Sequence, residues 1–88
     1  MTDIEKLTKA RSKELNLLKL TEECGELIQA VSKFYSSPTA DARQDIIEEM
    51  CDVMICIETV KNCLKISDAE YKAVMNWKMA RNMQRIGE

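Results

Sequence analysis

The residues of this sequence best equipped for chemistry are carboxylates that come in pairs. Glu23 and Glu26 form one pair, Glu49 and Asp52 another. Each pair is spaced i, i+3, so on a helix its two side chains share a face. Asp52 is the most conspicuous of the four, because every other residue from Met50 to Ile57 is apolar. Such a run reads as the middle of a helix buried on more than one side. An ionised carboxylate there costs several kcal/mol unless a cation or a donor compensates it. Two acid pairs on two apolar helices point to a site for a hard divalent cation. Carboxylate oxygens suit Mg²⁺, with Mn²⁺ as the alternative, and not zinc or copper. A di-iron site in a helix bundle would need Glu-x-x-His on two helices. The sequence has no histidine.

The elements that must carry these acids are helices. With two Gly and one Pro in 88 residues and 45% hydrophobic content, the chain favours helices over a turn-rich β fold. Helical periodicity runs from residue 3 to about 36. Thr2 or Asp3 can cap its start, and the polar stretch Lys9–Glu14 suits a break into a short helix and a longer one over Leu15–Tyr35. Ser36-Ser37-Pro38-Thr39 is the clearest loop, with Ser37 before Pro38 at a natural helix start. A third helix follows over Ala40–Leu64. Ser67-Asp68-Ala69-Glu70 fits a capping box that opens a fourth, ending near Arg85. The expected fold is all-α: one domain over 1–88, an antiparallel bundle of about four helices. So short a chain buries a modest core, so oligomerisation should complete it.

At about 100° per residue, Leu17, Leu20, Cys24, Leu27, Ile28 and Val31 form the expected stripe of the second helix. Ile46, Met50, Val53, Ile57, Val60 and Leu64 form that of the third. Glu23 and Glu49 each fall roughly 80° to the same side of their stripe, with Glu26 and Asp52 farther round and Glu22 and Glu48 opposite. A short loop makes the two helices antiparallel neighbours. Their acid pairs then point to the same side and converge, while Glu22 and Glu48 face solvent or stand behind the ligating acids. On the fourth helix the apolar line of Tyr71, Val74 and Met75 continues as Lys78, Asn82 and Arg85. Such a row can hold phosphate oxygens, Lys78 as a point charge and Arg85 as a fork. Cations also favour a helix C-terminus for structural reasons alone. Acids that bind Mg²⁺ opposite a Lys/Asn/Arg row suit a polyphosphate substrate.

Glu22-Glu23-x-x-Glu26, followed after 22 residues by Glu49-x-x-Asp52, resembles the signature of the MazG-like all-α nucleoside triphosphate pyrophosphohydrolases. Lys78-x-x-x-Asn82-x-x-Arg85 is similar to that family's phosphate-binding row, and the likeness spans roughly residues 15–85. The resemblance implies protomers that pair into homodimers or homotetramers, and cleavage of a nucleoside triphosphate to monophosphate and pyrophosphate. It implies that Glu23, Glu26, Glu49 and Asp52 ligate Mg²⁺ and that Glu22 or Glu48 orients water or ligands. A role in nucleotide-pool housekeeping would follow. Phosphoribosyl-ATP pyrophosphatases share the acid pattern but usually place a His soon after the second motif, and none follows here.

Composition narrows the rest. A net charge of −2 gives no pull toward nucleic acid. No apolar run approaches the ~20 residues of a membrane span, and nothing resembles a signal peptide. Cys24, Cys51, Cys56 and Cys63 form no Cys-x-x-Cys pair and read as small buried hydrophobes in a reducing, cytoplasmic setting. Phe34, Tyr35, Tyr71 and Trp77 are the rings able to stack on a base. The competing reading is a non-catalytic helical oligomer that binds a nucleotide or a partner helix.

Overall fold

The computed structural model describes all 88 residues, Met1–Glu88. It has four helices and no strand: α1 (Asp3–Lys9), α2 (Lys13–Ser36), α3 (Ala40–Cys63) and α4 (Asp68–Arg85). The start of each is set by a hydroxyl that accepts a backbone N–H. Thr2 does so for α1, in a reciprocal capping box with Glu5. Ser12 caps α2, Thr39 caps α3 and Ser67 caps α4. Ser37 was the expected start of the third helix. It is instead the C-terminal cap of α2, its N–H bonded to Lys33 O, and Thr39 after the proline takes the N-cap of α3.

The three-residue connection makes α2 and α3 an antiparallel hairpin, and α1 folds back on α3. No comparable packing joins α4 to the rest. The end of α3 explains this. Lys65 adopts a left-handed backbone (φ 56°), and Ile66 N–H bonds back to Lys61 O at 2.9 Å. The chain thereby satisfies the last carbonyls of α3 and turns sharply. Lys61 then pins the start of α4. Its ammonium pairs with Asp68 at 3.0 Å and Glu58 at 3.2 Å and lies 4.4 Å from the centre of the Tyr71 ring. Nearby, the fully buried Asn16 of α2 donates to Thr8 O at 2.9 Å, and Asn62 of α3 donates to the Thr8 hydroxyl at 3.2 Å. This short polar chain fixes α1 against both long helices.

The inward faces are not the expected stripes. In α2 the seam runs through Asn16, Leu20, Glu23, Leu27, Ala30 and Phe34; Leu17, Ile28 and Val31 are exposed. In α3 it runs through Ala42, Ile46, Glu49, Val53, Cys56 and Val60; Met50 and Leu64 are exposed. Glu23 and Glu49 therefore lie on the seam itself, not to one side of it. The run around Asp52 is covered on one side only. Met50, Cys51, Asp52, Met54 and Ile55 all face outward, and the four apolar ones line a shallow groove. Cys51 is not a core residue, whereas Cys56 is. Both long helices are apolar on two faces, so the periodicity of the sequence averages an inner and an outer stripe. No helix is long and apolar enough to cross a membrane.

Candidate metal centre

The hairpin brings the acids of the two motifs together. Glu23, Glu49 and Asp52 each present a carboxylate oxygen within 4.8 Å of the others. Glu26 joins them closely enough to hydrogen-bond with both Glu23 and Glu49. One oxygen of Glu23 and one of Glu49 (Oε2 in each) is shut off from solvent with no hydrogen-bond partner. Asp52 and Glu26 lie at the exposed edge of the cluster. The charge held at a cost on the helix seam is thus that of the two glutamates, not of Asp52.

The electrostatics agree with the geometry. Loss of solvent raises the pKa of Glu23 above the usual carboxylate value. A carboxyl–carboxyl hydrogen bond with Glu26 and the charges of Glu26 and Asp52 push it further, while Lys19 pulls it partly back. Glu49 is raised first by loss of solvent, then by the charge and hydrogen bond of Glu26, then by Asp52 and Glu23. Glu23 and Glu49 resist ionisation because each has lost solvent and lies among other carboxyl groups that no donor answers. An all-oxygen set with orphaned, inward carboxylate atoms fits a hard divalent cation, which supplies the missing positive charge.

Glu22 and Glu48 are exposed on the faces away from the seam, and Glu22 pairs with Lys19 at 3.6 Å. Lys78, Asn82 and Arg85 are exposed on α4, which meets the hairpin at its first turn, where Lys61 pairs with Asp68 and covers Tyr71. Within a single chain the structure assembles the acids but does not bring the cationic row to them. Of the rings, Tyr71 is covered by Lys61, whereas Trp77 is exposed and flanked by Lys78 at 5.6 Å and Arg81 at 4.9 Å. Tyr35 is almost bare, and Phe34 is part of the seam.

Three cations near these features were not singled out from the sequence. Lys19 lies four residues before Glu23 and acts electrostatically on both Glu23 and Cys56. Its i, i+4 spacing to Glu23 was the available signal. Arg11, in the turn before α2, also acts on Cys56, and no periodic pattern marks a turn residue. Arg81 follows Trp77 at i+4, which was equally readable.

No curated protein and no solved structure gives a significant match to this chain. Residues 11–84 match the model of the MazG nucleotide pyrophosphohydrolase domain. That range runs from the turn before α2 almost to the end of α4 and contains both acid pairs, Lys78 and Asn82, stopping one residue before Arg85. The chain belongs to the MazG nucleotide pyrophosphohydrolase family.

Proposed function

We propose that the protein is a Mg²⁺-dependent nucleoside triphosphate pyrophosphohydrolase that serves nucleotide-pool control. Family membership implies a hydrolase acting on nucleoside triphosphates. The observation that carries the finer reading is the convergence of Glu23, Glu49 and Asp52 from two antiparallel helices, with buried oxygens that nothing in the chain satisfies. Glu23, Glu26, Glu49 and Asp52 would hold Mg²⁺, or Mn²⁺ in its place. When bound, such a cation neutralises the polyphosphate and acidifies water. Glu22 or Glu48, which face away from the seam in a single chain, would have to turn toward the cluster to orient the attacking water and receive its proton on a carboxylate oxygen. That water attacks the α-phosphorus, and the bond to the bridging oxygen of the leaving pyrophosphate breaks. Lys78, Asn82 and Arg85 bind phosphate oxygens and stabilise the charge that grows on pyrophosphate. The chain's cysteines have no part in this.

Incubating the purified protein with Mg²⁺ and a panel of unmodified and modified ribo- and deoxyribonucleoside triphosphates should release pyrophosphate from at least one. A folded protein that turns over none of them overturns the proposal. A second reading is a non-catalytic helical oligomer that binds a nucleotide or a partner helix. It is favoured by the exposed apolar faces of α2, α3 and α4. Under that reading Asp52→Asn leaves function intact.

A further inference from the structure

Helix α4 carries the only tryptophan of the chain, and the chain leaves it open. Trp77 is 58% exposed, although a ring of that size is among the side chains that gain most from burial. Arg81 lies with its guanidinium 4.9 Å from the ring centre and Lys78 with its ammonium at 5.6 Å. The Nε of Arg81 is shut off from solvent and has no acceptor. No acid answers these cations. Residues 71–85 contain Lys72, Lys78, Arg81 and Arg85 and not one Asp or Glu, and none of the four forms an ion pair.

Helix geometry puts these groups in one place. At about 100° per residue, Trp77, Arg81, Arg85, Lys78 and Asn82 follow one another across about 140° of the helix surface, with Trp77 at one edge. Trp77 and Arg85 are separated by about 12 Å along the axis. An aromatic ring at one end and donors over the next two turns match a nucleoside whose phosphates extend along the helix. The other rings of the chain lack one half of this arrangement. Phe34 belongs to the seam, the ring of Tyr71 is occupied by Lys61, and the bare Tyr35 has no cation over its ring.

We propose that the nucleobase of the substrate stacks on Trp77, backed by Arg81, while its phosphates run along Lys78, Asn82 and Arg85. This deepens the pyrophosphohydrolase reading and rests on it for the reaction, but not for the binding. Arg81, one turn on, braces the ring from its own helix and adds a cation's attraction for the base. Lys78, the more distant of the two cations, leaves the ring for a phosphate oxygen when the nucleotide arrives. Every base has a π-face, so this platform takes purines and pyrimidines alike. It supplies affinity, and other groups must tell one base from another.

Because Trp77 is the only tryptophan, its fluorescence reports this place alone. The metal-free, full-length protein is titrated with each common deoxyribonucleoside triphosphate and, separately, with inorganic tripolyphosphate, which has the phosphates without the base. Each nucleotide should quench the emission, and tripolyphosphate should bind with little quenching. No quenching by any nucleotide, or equal quenching by tripolyphosphate, overturns the proposal. Calorimetry on Trp77→Leu then compares the same ligands. Nucleotide affinity should fall about 5- to 150-fold, the worth of one base–aromatic stack. Tripolyphosphate affinity should not change, and Trp77→Phe should restore most of the loss. Equal losses for both ligands would mean that Trp77 only keeps α4 in shape, and they overturn the proposal. Tighter binding of a single-stranded deoxyoligonucleotide than of the nucleoside triphosphates makes α4 a nucleic-acid surface and also overturns it. The reaction is judged apart from this. Quenching without pyrophosphate release under Mg²⁺ sinks the hydrolase and upholds the platform, whereas release without quenching upholds the hydrolase alone.

Discussion

Helix α3 carries two groups of charge about three turns apart, and the fold treats them in opposite ways. At its C-terminal end Lys61 has only 12% of its side chain exposed, yet it is fully answered by Glu58, Asp68 and the Tyr71 ring. Asn16, Thr8 and Asn62 close the same end with two hydrogen bonds between helices. In the middle of the helix, Glu49 and Asp52 meet Glu23 and Glu26, and no donor or cation pairs with the two buried oxygens. Lys61 is held in its charged form, its pKa raised chiefly by the hydrogen bond to Asp68. Glu23 and Glu49 are pushed toward their neutral forms. A charge with partners is part of the architecture. A set of like charges without partners persists at a cost to stability, a cost that a bound cation would offset.

The largest effect should come from breaking the unpartnered end. Asp52→Asn removes one anion and should lower pyrophosphate release on the order of 10²-fold or more, since even changes behind a metal ligand cost 10–100-fold. The metal-free variant should melt at or above the wild-type temperature, because repulsion is relieved. Mg²⁺ should raise the melting temperature of the wild type and not of the variant. Equal Mg²⁺ responses would mean that the cluster is only a solvated patch. The partnered end should behave in the reverse manner. Asn16→Ala leaves the half-buried Thr8 O without its donor and should cost about 1–3 kcal/mol in denaturant unfolding. Its Mg²⁺ response should survive.

A smaller effect separates the two ends by pH. The folded-state pKa values of Glu23 and Glu49 lie above their unfolded values, so the folded chain binds the extra protons. Metal-free protein should therefore lose stability as pH rises from the ordinary carboxylate range through the raised values, then level off. Saturating Mg²⁺, which needs the ionised form, should reverse that slope. Lys61 contributes in the same sense, but at a much higher pH. Its stabilisation is complete below the unfolded lysine pKa and is lost as pH climbs through the raised folded value. Melting curves across pH, with and without Mg²⁺, check both arms. A metal-free protein that gains stability between mildly acidic and neutral pH would contradict the raised carboxyls.

Most of this architecture was legible because it is local. Thr2, Ser67 and the Pro38 loop marked helix starts within a residue or two. The common i, i+3 spacing of Glu23/Glu26 and Glu49/Asp52, together with a loop too short for anything but a hairpin, was enough to bring the acids together. What was not legible depends on comparing faces or chains. Leu17, Ile28 and Val31 look as core-like in sequence as Leu20 and Leu27, because α2 is apolar on two sides and one chain covers only one of them. For the same reason Asp52 reads as the buried acid, although Glu23 and Glu49 hold that position. The outward course of α4 depends on one backbone angle at Lys65, a residue type that carries no turn signal.

That angle gives the smallest prediction and the finest test of the contrast. A non-glycine residue in the left-handed region is strained by about 1 kcal/mol, whereas glycine reaches it freely. Lys65 has no recorded side-chain partner, so nothing is lost when its side chain is removed. Lys65→Gly should therefore raise unfolding stability by up to about 1 kcal/mol, reduced by the greater freedom glycine gives the unfolded chain. If the turn serves only to end α3 and aim α4, turnover and the Mg²⁺ response should not change with it. Destabilisation would mean that the freedom glycine gives the unfolded chain outweighs the strain relieved at this angle.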